Sequence, residues 1–343
     1  MKLDIIANDG SPLGVTMKSV WGEDGRFGVG GAELALLTMC EGWHNRGYEV
    51  TLYNNPSEGG VGPFEQRTLG QFDPLDDRDY LIVFRSPNDR VNEAKGRRIW
   101  WSCDQFTIGD FKNFSRRVDK VVTISKFHAD YFQNMYGIGD TVTIDLPVRD
   151  DYEKKKFERI PKRCIYTSVP DRGAMQLHAA WPLIHKEVPD ASLVLTSDWR
   201  LWDANIDQSC LDPYRLPYAR HPNCSYVGAV KREELIEYQL QADLLLYPSV
   251  YPELFCITVA EAQVSGAIPV TSRSGAIETT NEFGYQIDGV ATDPKFIEDF
   301  VQKTVQLLQD PDLKDRREDM MEKARNRFSL RKILGIWDKY VFS

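Results

Sequence analysis

The sequence predicts an α/β protein made of two doubly wound halves, and three observations carry that expectation. Short apolar runs alternate with segments of helical periodicity along nearly the whole chain, as they do where parallel sheets are covered by helices. The 343 residues divide into two domains at roughly 150 residues each. Between them, eleven of the fifteen residues from Arg149 to Arg163 are charged. That stretch reads as a solvated linker or hinge, with a charged edge helix as the plainer alternative. The expected organisation is a first domain over 1–150, a linker over 151–163, a second domain over 164–327 and a terminal segment over 328–343.

In the first half, Leu3 to Ala7 is a short apolar strand, followed by the glycine-rich stretch Gly25 to Gly31. Ala32 to Arg46 is expected to be helical because Leu34, Leu37, Cys40, Glu41 and Trp43 fall near helical spacing, and Gly47 stands where a helix C-terminal glycine belongs. Strands are predicted at Glu49 to Tyr53, Tyr80 to Phe84, Arg98 to Ser102, Lys120 to Ile124 and Thr141 to Ile144, with Lys126 to Met135 helical. In the second half, strands are predicted at Cys164 to Ser168, Ser192 to Thr196, Ser225 to Val227, Leu244 to Tyr247, Ile268 to Val270 and Tyr285 to Ile287. Gly173 to Glu187, Lys231 to Gln241, Val259 to Ser265 and Pro294 to Gln309 supply helices, and the tail from Leu313 is helical with a break near Phe328-Ser329. Asn8 to Phe27, Pro56 to Phe72 and Gln105 to Phe114 read as irregular loops whose aromatics, such as Trp21, Phe64 and Phe106, are expected to pack.

Composition narrows the class. Fifty-one acidic against forty-two basic side chains give a net charge of −9, the wrong sign for gripping nucleic acid or anionic lipid through the overall field. The apolar runs, Leu244-Leu245-Leu246 among them, are far shorter than the roughly 20 residues a membrane span needs, and the chain starts directly in strand-like sequence. The expectation is a soluble, cytoplasmic protein, with peripheral membrane contact left open. Six cysteines occur without a C-x-x-C pair and five histidines are dispersed, so no metal site can be assembled from spacing, and the cysteines are expected to be buried reduced thiols.

The most informative segment is Tyr251-Pro252-Glu253-Leu254-Phe255-Cys256-Ile257-Thr258-Val259-Ala260-Glu261-Ala262, which follows the strand ending at Tyr247. A helix starting near Phe255 would point free backbone N–H groups out of the sheet's carboxyl edge, where peptide donors and the helix dipole can hold a diphosphate. Glu253 would then stand beside the anion, with Glu261 about two turns further along.

In this segment the sequence resembles the family 4 retaining glycosyltransferases, which share the GT-B fold. Glu253 and Glu261, with seven residues between them, and Gly266-Ala267-Ile268-Pro269-Val270 after them match that family's E-x7-E signature. Gly30-Gly31-Ala32-Glu33, Arg46-Gly47-Tyr48-Glu49-Val50, Val122-Thr123-Ile124-Ser125, Val188-Pro189-Asp190-Ala191 and Ser274-Gly275-Ala276-Ile277-Glu278 match in the same order. The resemblance implies two Rossmann-like parallel-sheet domains facing a central cleft, with the terminal segment crossing back onto the first domain. It implies that Glu253 contacts the donor sugar, Leu254 and Phe255 offer backbone N–H groups to the phosphates, and Glu261 hydrogen-bonds the ribose hydroxyls as a double acceptor. Gly30 and Gly31 resemble the family's glycine loop, and Gly228 and Ala229 join the donor-binding set.

Two departures stand out. Where the family places an Arg and a Lys to neutralise the diphosphate, only Arg172 aligns, and the upstream position is Tyr166 or a neighbour; Arg85 or Arg273 are candidates to supply the second cation. A guanidinium suits phosphate oxygens because it donates two parallel hydrogen bonds. In Ser102-Cys103-Asp104, Cys103 stands where the family often has a histidine, and Asp104 is the candidate for touching donor sugar or acceptor, with a helix N-cap as the competing role.

The implied reaction is transfer of a sugar, with retention, from a nucleoside diphosphate sugar (UDP or GDP foremost) to a hydroxyl of a glycan, lipid or small-molecule acceptor in glycan or glycoconjugate synthesis. It requires no cofactor besides that co-substrate and no metal, with Glu253, Arg172 and Asp104 as the catalytic set. Two other classes compete: a sugar-nucleotide-binding module without catalysis, and an NAD-dependent dehydrogenase, whose G-x-G-x-x-G after the first strand is not spaced correctly here. Acceptor identity and oligomeric state are not legible.

Overall fold

The first strand, β1 (Lys2–Ala7), is buried from Leu3 onward, which is what a central parallel strand with no polar alternation requires. In this computed structural model the described residues are all of 1–343 except 8–13, 58–61, 106–108 and 203–206; the loop aromatic Phe106 lies outside them. Residues 1–25, 29–147 and 330–343 form one compact unit, and residues 26–28 and 148–329 a second.

After β1 the first unit continues through α1 (Met17–Trp21), α2 (Gly31–Asn45), β2 (Glu49–Tyr53), β3 (Glu65–Arg67), β4 (Tyr80–Phe84), β5 (Arg97–Trp101), α3 (Phe111–Ser115), β6 (Lys120–Thr123), α4 (Lys126–Tyr136) and β7 (Val142–Thr143). All seven strands are parallel, in the order β3-β2-β1-β4-β5-β6-β7. Trp100 of β5 packs edge-on to Phe111 and Phe114 of α3. Gly47, at φ +84°, ends α2 in the left-handed region that glycine tolerates. The loops expected to be irregular contain α1, β3 and the start of α3. Only Gln66 in β3 is buried, so a two-residue alternation was too short to read as a strand.

The second unit comprises α5 (Asp151–Lys154), β8 (Arg163–Thr167), α6 (Ala174–Glu187), β9 (Ser192–Thr196), α7 (Asp212–Tyr218), β10 (Cys224–Tyr226), α8 (Arg232–Gln241), β11 (Leu244–Tyr247), α9 (Ile257–Ser265), β12 (Ile268–Ser272), α10 (Ile277–Thr280), β13 (Tyr285–Ile287), α11 (Pro294–Leu308) and α12 (Leu313–Phe328). Its six strands are again all parallel, ordered β10-β9-β8-β11-β12-β13. The charged run 149–163 departs from the expected solvated linker. Val148 pairs with Ser329, Arg149 donates to Asp151 at 2.7 Å, and Tyr152 is fully buried, because one aromatic among charges is enough to anchor the segment on a core.

The break after Phe328 leads into α13 (Leu330–Tyr340), which folds with the first unit. Its Trp337 meets Trp43 and Trp101 at 5.2 Å centroid distances, and Asp338 accepts from the Tyr48 hydroxyl at 2.7 Å. Gly42 permits this contact: a Cβ there would lie 2.9 Å from Leu334. Of the six free cysteines, Cys40, Cys164 and Cys256 are buried, whereas Cys210 is exposed in a short turn, contrary to the general expectation of burial.

Candidate active site

In both sheets the strand order reverses direction once, between β1 and β4 in the first unit and between β8 and β11 in the second. Ligands of open α/β sheets bind at the carboxyl ends of strands at such a switch point, because the loops on either side diverge there. In the second unit those two loops carry Arg172, in the turn Pro170–Arg172 after β8, and Glu253, after β11.

The Glu253 loop is gripped from both sides by glycines. A Cβ on Gly173 would lie 2.6 Å from the Pro248 carbonyl oxygen, and one on Gly275 would lie 2.7 Å from the Glu253 nitrogen. Gly275 also sits at φ +63°, and the Ala276 amide donates to the Glu253 carbonyl at 2.7 Å. The Ser274-Gly275-Ala276 motif therefore holds the Glu253 backbone in place.

Glu253 is half-buried, and its Oε1 accepts from the Tyr247 hydroxyl at 2.8 Å, with Ser168 Oγ 3.2 Å from the same hydroxyl. Burial pushes its carboxyl above the ordinary range, against the opposing pull of Arg172 and of the Tyr247 hydroxyl. The Arg172 guanidinium lies 3.3 Å from the centroid of the Tyr251 ring. Burial draws its pKa down, but Glu253 and Asp171 outweigh that and hold it above its usual value. Tyr247 and Tyr251 are the site residues that motif matching missed; the aromatic pair flanking Pro248-Ser249-Val250 was the available signal.

The helix behind Glu253 starts between the two positions that the sequence suggested, near Phe255 and at Val259. Cys256, at φ +70°, is the N-cap and α9 begins at Ile257, two residues beyond Phe255. The backbone has to turn through the left-handed region before it can enter the helix, which delays the first helical residue. Among the described residues, the amides of Leu254, Phe255, Cys256, Ile257 and Thr258 have no hydrogen-bond acceptor. Five consecutive unpaired N–H groups at a helix N-terminus form an anion-binding array.

Glu261, one turn into α9, is buried, and its Oε1 accepts from Arg232 at 2.5 Å. Gly228, at φ +75°, and Ala229 follow β10, the edge strand two positions from β8; the Ala229 amide donates to Asp198 Oδ2 at 3.4 Å. Arg273 is engaged by Asp288 at 2.7 Å and Glu278 at 3.1 Å on the surface, and Tyr166 is buried with its hydroxyl donating to the Val169 carbonyl at 2.9 Å.

The remaining candidates belong to the first unit. Gly30 caps α2 and Gly31 is its first residue. Arg85, at φ +64° after β4, donates to Glu33 in the first turn of α2 at 2.5 Å, both nearly buried. Asp104 accepts from the Gln105 amide at 2.7 Å and is not a helix cap; Asp110 caps α3 instead. A groove of about 380 Å³ lined by Lys112, Arg116, Lys120 and Asp140 lies at the opposite, amino-terminal edge of this sheet. No group of three or more His, Cys, Asp or Glu side chains among the described residues is placed to hold a metal ion. No helix among them is long and apolar enough to cross a membrane.

Comparison with known proteins decides the family. Residues 170–327 match the glycosyl transferases group 1 family, a span that takes in Arg172, the Glu253 loop and Glu261. The second unit is a domain of that family. The chain is accordingly a glycosyltransferase, and its two parallel-sheet units have the GT-B architecture of solved glycosyltransferases. HepE from Anabaena in complex with UDP is similar at a TM-score of 0.74 and 15% identity, covering 100% of both chains. A glycosyltransferase from Rickettsia africae gives 0.73 at 14% identity, covering 100% of this chain and 99% of that one. Sucrose-phosphate synthase from Thermosynechococcus elongatus gives 0.69 at 15% identity, covering 99% of each. At these identities the likeness speaks for the fold alone. No curated protein sequence is a significant match.

Proposed function

We propose that this glycosyltransferase binds a nucleoside diphosphate sugar, UDP-linked foremost with GDP as the other candidate, and transfers the sugar with retention to a hydroxyl acceptor. The observation that carries the reading is the run of five unpartnered amides, Leu254 to Thr258, opening beside Arg172 and Glu253 at the switch point. In this reading the amides and the helix dipole receive the diphosphate, and Arg172 donates to its oxygens as charge builds on the leaving group. Glu253 accepts from sugar hydroxyls, and Glu261 accepts from the ribose. Gly228 and Ala229 line the nucleotide side. Charge stabilisation on the leaving diphosphate is assigned to these groups rather than to a metal ion. Retention without a nucleophile on the opposite face implies same-side attack by the acceptor, assisted by the leaving phosphate. The UDP in the HepE complex supports the choice of base. In the first unit, Gly30 and Gly31 are assigned to the donor phosphate and the acceptor, Asp104 to the donor sugar or the acceptor, and the products are assigned to glycan or glycoconjugate synthesis.

Incubation of the purified chain with UDP-, GDP- and ADP-sugars and a panel of hydroxyl acceptors tests this reading. Release of nucleoside diphosphate with one donor, and a product whose anomeric configuration matches that donor, is the expected result. Tight nucleotide-sugar binding with no turnover across the panel would leave a binding module instead.

A further inference from the structure

Glu261 is held by a side chain that no motif of the sequence singled out. Arg232, the first residue of α8, donates from Nη2 to Glu261 Oε1 at 2.5 Å, and the two side chains are 7% and 4% exposed. The other face of the guanidinium is covered by the ring of Tyr152, whose centroid lies 5.5 Å from Cζ. Tyr152 is itself fixed, because its hydroxyl donates to Gln239 of the same helix α8. Burial lowers the Arg232 pKa, but Glu261 more than reverses it, with Tyr152 and Asp151 adding to the effect, so the guanidinium stays charged.

A buried carboxylate that accepts a charge-assisted hydrogen bond from a guanidinium is held in one orientation, and Arg232, backed by the Tyr152 ring, supplies that bond to Glu261.

We propose that Arg232, backed by Tyr152, is the positioning residue that holds the Glu261 carboxylate in place for the ribose hydroxyls of the donor. The inference rests on the assignment of Glu261 to the ribose. It also gives the charged run 149–163 a function: through Tyr152 it supports the nucleotide site.

The test is calorimetric titration of the full-length chain with the tightest binder among UDP, GDP and ADP, and with the 2′,3′-dideoxy form of the same nucleotide. Arg232→Ala weakens the natural nucleotide roughly 10–150-fold, the range for losing hydrogen bonds to a charged group, and leaves the dideoxy form unchanged. Arg232→Lys keeps the charge, recovers part of the loss, and serves in place of the alanine variant if that one does not fold. In the Glu261→Ala background, Arg232→Ala costs no further affinity. Equal losses for the natural and dideoxy nucleotides would mean that Arg232 merely supports the fold. Unchanged affinity in Arg232→Ala with a clear loss in Glu261→Ala would overturn the positioning role while the ribose assignment stands. Unchanged affinity in Glu261→Ala would remove the ribose assignment and the inference together.

Discussion

The two switch points of this chain have the same topology and opposite contents. In the first unit, the gap between the ends of β1 and β4 is occupied by an internal ion pair: Arg85 reaches Glu33 at 2.5 Å in the first turn of α2. In the second unit, the gap between β8 and β11 presents the unpaired amides of Leu254 to Thr258, with Arg172 against Tyr251 and Glu253 against Tyr247. Both points place a non-glycine residue in the left-handed region, Arg85 at φ +64° and Cys256 at φ +70°, so local strain accompanies both. The difference lies in what the strain serves. One strained residue completes a buried contact within the protein, and the other precedes a helix whose first amides are left without a protein acceptor among the described residues.

Breaking the first pair is expected to have the largest effect. Arg85→Ala leaves Glu33 buried without this partner and lowers stability by about 3–5 kcal/mol, read as a drop in the calorimetric midpoint, while nucleotide affinity changes less than about twofold. A fall in affinity with unchanged stability would make the first switch point a ligand site after all. Arg172→Ala reverses the pattern: turnover falls by about 10²–10³-fold while the midpoint hardly moves, since the guanidinium acts on charge that develops in the reaction. An equal loss of stability would place it with Arg85.

Acid is expected to weaken both units. His128 in the first unit is fully buried, and burial depresses its pKa from 6.5 to about 3. The unfolded chain therefore takes up a proton below 6.5 that the folded state refuses, so stability is fully present above 6.5 and is lost as pH falls toward 3, by about 1.4 kcal/mol per pH unit. His178 and His221 of the second unit, 2.8 Å apart, are also depressed by burial, so both units weaken with the same sign. In His128→Asn the pH slope of the first unit's unfolding should shrink by one proton, and an unaltered slope would assign the acid sensitivity elsewhere.

At the second switch point, Tyr247→Phe removes the hydroxyl that helps to keep Glu253 ionised. Turnover should fall about tenfold and the acidic limb of its pH profile should move upward, whereas a purely structural tyrosine would leave the limb in place. The smallest effect is expected from Cys256→Gly. Glycine adopts φ +70° without penalty, so stability should rise by about 1 kcal/mol, measured by denaturant unfolding; a loss instead would show that the thiol's packing outweighs the strain.

Much of the architecture was legible because its signals are local. Five strands, Glu49–Tyr53, Tyr80–Phe84, Ser192–Thr196, Leu244–Tyr247 and Tyr285–Ile287, have the bounds the sequence predicts; in the first four, burial on both faces leaves no competing polar pattern. The break at Ser329 was visible too, as Phe328 ends one amphipathic stripe and Leu330 begins another. Helix α9 was misplaced by two residues because nothing in Phe255-Cys256 announces a left-handed N-cap in a cysteine. The partners of Glu253 and Glu261 were out of reach for another reason: Arg232 lies 29 positions from Glu261, and no pattern along the chain pairs them.

By itself the sequence determined the alternation of strands and helices, the two-part organisation, and the order of motifs from Gly30 to Glu278, because periodicity, glycine positions and spacing are written along one dimension. Only the tertiary structure decided which cations are spent and which are placed to act. The sequence singles out Arg172, offers Arg85 or Arg273 as a second cation and passes over Arg232. Folding commits Arg85 to Glu33, Arg273 to Asp288 and Glu278, and Arg232 to Glu261, and sets Arg172 over Tyr251 beside the unpaired amides. The reason is that a charge acquires its role from its neighbours and its dielectric, and both are properties of the packed molecule.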